Sequence, residues 1–164
     1  RMRKCAVGIV IVLCLMAAGG AIVLSQFSIS AIPDPGGFET RMATASLHAI
    51  VARRARREVP AEPPATATSV AAGGMTFGGE CANCHGTEGD KPTDVGRGMY
   101  PRAPSLASHE VQGWSDAELF YIIRNGVRYT GMPGFGKSLP DDQIWTLVNY
   151  VRSLAPQKSG TPAK

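Results

Sequence analysis

Cys81-Ala82-Asn83-Cys84-His85-Gly86 is the stretch from which the rest of the chain is read. C-x-x-C-H is the attachment sequence of a c-type haem. Two thiols on one helical turn each add across a vinyl group of the same porphyrin, and the histidine that follows lies under the ring and offers an imidazole nitrogen to iron. C-x-x-C alone also occurs in zinc and thiol-redox sites. Zinc calls for a second C-x-x-C or paired histidines downstream, and the sequence has neither. A thiol-redox site does not require His85 and would sit in a βαβ surround, for which no strand pattern is present. The expected cofactor is therefore one covalently bound haem c, with Cys81 and Cys84 as attachment points and His85 as a ligand to its iron.

The sixth position on the iron decides between electron transfer and chemistry at the metal. Met75 lies ten residues before His85 on the same helix and does not easily reach the opposite face of the ring. Met99 and His109 have the reach. Met132 is the best placed, in the helix-free segment Tyr129-Thr130-Gly131-Met132-Pro133-Gly134-Phe135-Gly136. The competing reading of Met132 is a core residue filling a gap.

The flanking sequence divides the 164 residues into four parts. Arg1, Arg3 and Lys4 precede an uncharged apolar run from Cys5 to Leu24, long enough at about 1.5 Å per residue to cross a bilayer. Residues 1–31 are expected to form a single N-terminal transmembrane anchor with its start in the cytoplasm. This places the remainder on the periplasmic, outer face of a bacterial cytoplasmic membrane. A cleaved signal peptide is the alternative, with Ser28-Ile29-Ser30 as a cleavage site. Residues 32–68 read as a membrane-proximal helix, Phe38 to Glu58, and a Pro-rich linker, Val59 to Thr68. The helix suits lipid headgroups, a partner subunit or a solvated spacer, and His48 on it reads as solvated. Residues 69–156 read as a small all-α haem domain: a first helix capped by Ser69 and ending at the haem motif, a wrapping loop from Gly86 to Arg102, a helix opened by the capping box Ser115-Asp116-Ala117-Glu118 and stopped at Gly126, and a last helix from about Pro140. The last helix places Ile144, Leu147, Val148 and Val151 on one face. Residues 157–164 read as a disordered polar tail. Residues 1–69 carry a net charge of +4 while residues 70–164 are neutral, which argues against nucleic acid as a partner of the folded part.

Residues 69–156 resemble a monohaem class I cytochrome c of the short bacterial kind, and with the anchor the chain is similar to membrane-tethered cytochromes c. Gly73 and Phe77 fall eight and four residues before Cys81, where that family has a glycine and an aromatic. Leu147 and Tyr150 match the apolar and aromatic positions of its last helix, which crosses the first at that glycine. Pro104 and Leu106 match its Gly-Pro-x-Leu segment, whose proline carbonyl accepts a hydrogen bond from the haem histidine. Met132 matches its axial methionine. Ala103 departs from the usual glycine, and Pro140 from a common capping serine. The resemblance implies a class I cytochrome c fold around one haem, with His85 and Met132 on the iron and Phe77, Pro104 and Leu106 against the cofactor. It implies a one-electron carrier and not an enzyme, without a small-molecule substrate. Its donor and acceptor would be membrane redox complexes of a respiratory or photosynthetic chain. The rivals are a fixed haem c subunit of a multi-subunit membrane complex (an oxidase, a quinol-oxidising complex or a reaction centre) and a haem enzyme or gas sensor with a labile sixth ligand.

Overall fold

Helix α1, Met2–Ser25, opens the chain, and in this computed structural model residues 2–25, 30, 32–33 and 35–156 are described. The polar tail expected at 157–164 and most of the Ser28–Ser30 cleavage site lie outside them. Residues 1–30 form one unit and residues 31–164 another. In the first, Ala6–Ser25 is long and apolar enough to cross a membrane and none of it is buried, which is compatible with an anchor or with a signal sequence.

The second unit is all-helical, with no strand among its described residues: α2 (Gly37–Glu58), α3 (Ala67–Glu80), α4 (Ala82–His85), α5 (Asp94–Gly98), α6 (His109–Gln112), α7 (Asp116–Asn125) and α8 (Asp141–Ser153). Its centre is the crossing of α3 and α8, the most extensive helix pair. At Gly73 the backbones meet so closely that a Cβ there would lie 2.0 Å from the Thr146 carbonyl oxygen, and Gly74 lies under the Tyr150 ring. The glycines that weaken α3 as an isolated helix are thus what lets α8 cross it. Ile144, Leu147, Val148 and Val151 are buried as their spacing predicts, together with Trp145. Phe77 is 1 % exposed and tilts against Tyr150, ring centres 4.9 Å apart.

Three local expectations shift. The first helix is capped by Thr66, whose side chain accepts from the Ser69 amide while Ser69 Oγ accepts from the Thr66 amide. Ser69 is therefore the third residue of a capping box, and the helix begins inside the expected linker. Residues 86–102 contain α5, nucleated where the Thr93 side chain accepts from the Gly96 amide. The short α6 is capped by Ser108 in the same way.

The largest correction concerns α2, which is not a loosely solvated spacer: part of its apolar arc packs inside the unit, while Ile50 on the same arc stays exposed. It packs on α7, burying Val51 and Ala55 to 3 % exposure each, with Leu47 and Val59 at the margin. His48 is exposed, as read, and it also stacks face to face on Trp114, ring centres 3.8 Å apart and 3° from parallel. The Tyr100 hydroxyl donates to Glu39 at 2.5 Å. Since α2 and α3 share a unit, the Pro-rich segment between them joins two parts of one folded body.

Candidate functional site

α3 ends at Glu80, and Cys81 turns the chain into α4, whose last residue is His85. The Cys81 and Cys84 thiols are half-buried and unpaired. Burial pushes the Cys81 thiol up to about 12, with the neighbouring Glu80 and Cys84 acting in the same direction. A dithiol oxidoreductase needs the opposite shift, toward a reactive thiolate, so the thiol-redox reading of this C-x-x-C is disfavoured.

His85 is held by one contact. Its Nδ1–H donates to the Pro104 carbonyl at 3.1 Å, which fixes the ring and leaves Nε2 for a metal. Burial lowers the imidazole below the usual histidine range and the Pro104 bond works against this, so the ring is neutral and ready to ligate. Pro104 is in turn kept in place by its neighbours. The Leu106 amide donates to the Gly89 carbonyl at 2.7 Å, and Gly89 is close enough to Leu106 and Phe77 that a Cβ on it would lie 3.4 Å from each side chain. Gln112 Nε2 donates to the carbonyls of Leu106 (2.7 Å) and Val151 (2.9 Å), while Arg152 donates to the Gln112 carbonyl at 2.9 Å and pairs with Asp116. Gln112 and Arg152 escape a sequence reading because both look like solvated helix-end residues.

The loop after the motif braces it from outside. Thr93 Oγ1 donates to the Asn83 carbonyl at 2.6 Å and the Thr93 amide to the Cys84 carbonyl at 3.1 Å. A Cβ on Gly96 would sit 2.2 Å from that same Cys84 oxygen, so α5 lies directly on the haem-motif backbone. Thr93 carries the one signal a sequence could have given, a helix-capping threonine before Asp94.

Met132 is half-buried against the core. Its amide donates to Thr130 Oγ1 at 3.1 Å and its carbonyl accepts from the Val127 amide at 3.3 Å. The chain then runs back along the C-terminal end of α7, with Phe135 N donating to the Ile123 carbonyl and Gly136 N to the Arg124 carbonyl. Gly126 and Gly134 permit this approach: a Cβ on either would lie 2.6 Å from the facing segment's backbone. The glycines around Met132 thus let this segment lie against a helix end. Of the other candidates, Met75 is 77 % exposed and His109 is exposed on the first turn of α6. Met99 is half-buried and touches Gly131.

This donor set fits a covalently attached haem: two free thiols at the attachment spacing, a neutral imidazole with one nitrogen engaged and the other available, and thioethers on a separate segment. The family described as "Cytochrome C oxidase, cbb3-type, subunit III" matches residues 68–151. The chain belongs to this family of c-type cytochromes. The cytochrome is 30% identical to cytochrome c6 of Diacronema lutheri over 86 residues, which cover 52% of this chain and 96% of that protein. It is 33% identical over 96 residues to cytochrome c6 of Rippkaea orientalis, covering 57% and 78%. Among solved structures it is similar to a chain of the Kuenenia stuttgartiensis reducing HAO-like protein complex Kustc0457/Kustc0458, with 25% identity and a TM-score of 0.51, over 63% of this chain and 55% of that one. The cytochrome therefore carries haem c, bound covalently, and its domain is one for electron transfer. The family match begins at Thr68, inside α3, so α2 lies outside it.

Proposed function

We propose that this cytochrome is a one-electron carrier tethered to the bacterial cytoplasmic membrane by residues 1–31, with the haem domain on the periplasmic face and His85 and Met132 as the residues that would ligate the haem iron. When bound, the haem supplies a one-electron iron couple at a potential set by its ligands and burial. The chain's own residues orient that group. Cys81 and Cys84 hold it, the Pro104 carbonyl fixes the His85 ring, and Phe77 and Leu106 contribute apolar surface. The single observation carrying this reading is the His85 Nδ1 to Pro104 contact, made within a family-matched domain and leaving one imidazole nitrogen for iron. A thioether in the sixth position disfavours substrate binding at the metal. Met132→Ala in the haem-loaded chain is expected to lower the potential and to let the reduced protein bind carbon monoxide. An unchanged spectrum, potential and carbon monoxide response would remove Met132 from the iron.

One observation favours a second reading, a fixed subunit of a membrane redox complex. The Pro-rich segment joins α2 to α3 within one unit, so reach from the anchor is left to the eleven residues between Ser25 and Gly37, at most about 40 Å when fully extended. A short tether suits a partner that stays beside it. The matched family is described as an oxidase subunit, and the similar solved chain belongs to a complex. Mild detergent extraction discriminates the two: a free carrier leaves the membrane alone, whereas a subunit brings its partners in fixed ratio.

A further inference from the structure

Met99 stands at the junction between the two segments on which the ligand assignment rests. Its side chain lies on Gly131, where a Cβ would be 2.3 Å from the Met99 sulfur and 3.1 and 3.2 Å from its Cγ and Cε. Gly131 immediately precedes Met132. From within, the loop that carries Met132 is held by Thr130, whose hydroxyl donates to the Val127 carbonyl at 2.7 Å and accepts from the Met132 amide. From outside, Met99 is the contact on Gly131. Met99 also has a fixed origin, as the residue that ends α5, and α5 is the helix whose Gly96 lies on the Cys84 carbonyl. The Ala103 amide donates to the Gly96 carbonyl at 2.9 Å, and Tyr100 is tied to Glu39, so the segment that follows Met99 is pinned at Tyr100 and at Ala103. A continuous run of contacts thus leads from the Cys84 backbone through α5 and Met99 to the residue before Met132.

We propose that Met99 is a positioning residue for the sixth ligand: seated on Gly131, it sets the Met132 loop at a fixed separation from the haem-attachment turn. A long unbranched thioether suits this role, because it fills the space above a glycine without a branched Cβ. Loss of the contact lets the loop open, and an added ligand then competes better with the Met132 sulfur. This proposal rests on the assignment of Met132 to iron.

The test uses the full chain with haem attached, in detergent or nanodiscs. In the ferric protein a bound methionine gives a far-red sulfur-to-iron charge-transfer band, which Met132→Ala must abolish if the assignment holds. Imidazole is then titrated against that band in Met99→Ala, Met99→Leu, Gly131→Ala and the Met99→Ala/Gly131→Ala pair. Met99→Ala is expected to bind imidazole about tenfold more tightly than the native chain, equivalent to about 1.4 kcal/mol, and Gly131→Ala, where the flexible end of Met99 can shift aside, less than that but in the same direction. Met99→Leu, which restores bulk, should return close to native. The double variant should be no looser than Met99→Ala, because both substitutions break the same contact. A band lost in Met132→Ala with imidazole binding unchanged in Met99→Ala overturns the positioning role and leaves the ligand assignment standing. Retention of the band in Met132→Ala and its loss in Met99→Ala would put the Met99 sulfur on iron, and both statements would fall.

Discussion

α8 and α2 are joined to the same folded unit by different means. In thirteen residues α8 buries six, whereas α2 needs twenty-two residues to bury two. α8 is core. α2 is a cover, held by Val51 and Ala55 on its α7 side and by one aromatic stack on Trp114, just before α7, and it lies outside the stretch matched by the family. Removing the α3–α8 crossing should abolish the site, while removing α2 should leave haem attachment intact and expose one side of α7.

The largest effect is expected at Gly73. Gly73→Val places side-chain atoms where the Thr146 carbonyl oxygen already lies, and a backbone atom cannot swing aside. Overpacking of this kind costs about 3 kcal/mol. The midpoint of denaturant unfolding, followed by helix content in the haem-loaded chain, should fall accordingly, with less haem attached per polypeptide. A native midpoint would mean that α8 does not cross α3 at this residue.

Val51→Asp should come next and differ in kind. It buries an unpaired carboxylate at a site of 3 % exposure, a penalty of about 2–3 kcal/mol. α2 can escape that penalty by undocking. Amides of α2 should then exchange rapidly while those of α3 and α8 keep their protection and the haem spectrum stays native. Equal loss of protection in all three helices would erase the distinction between core and cover.

The same contrast explains what could be read in advance. α8 announces itself through Ile144, Leu147, Val148 and Val151 at helical spacing. The haem motif is legible because its residue types and interval are those of covalent haem attachment, and Phe77 and Leu106, apolar by type, are buried while Pro104 meets His85. The α2 contact gives no such signal. Arg54 interrupts its apolar arc, Ala55 is too small to mark a face, and His48 gains its place only because Trp114, far along the chain, offers a flat ring. Gln112 and Arg152 are missed for a related reason: apart from the Arg152–Asp116 pair, the contacts that tie them to the site are to backbone carbonyls, which carry no sequence identity. Met99 is visible as a candidate ligand, but its contact with Gly131 depends on two loops meeting.

A smaller effect tests the stack itself. His48→Ala should cost about 1 kcal/mol of α2 docking, the usual worth of an aromatic pair, and His48→Phe should restore most of it. Hydrogen exchange in α2 reads both changes, and Trp114 fluorescence should respond to the loss of the ring. If His48→Ala leaves α2 exchange unaltered, Val51 and Ala55 hold the helix alone.

The smallest effect lies at the other end of α2, where Tyr100 donates to Glu39. That hydrogen bond, with smaller contributions from desolvation and the Glu39 charge, raises the phenol above its ordinary value of 10.0. The folded form therefore holds the phenolic proton more tightly than the unfolded chain. Whatever the contact adds to stability is fully present below pH 10.0 and disappears as the pH rises through the raised value. A phenolate titration by ultraviolet absorbance, compared with that of Tyr100→Phe, should show one tyrosine ionising late, and Glu39→Ala should return it to the ordinary range. An identical titration with and without the Glu39 carboxylate would mean that α2 is not tied to the 99–103 segment in solution, and that its hold on the domain is confined to the α7 side.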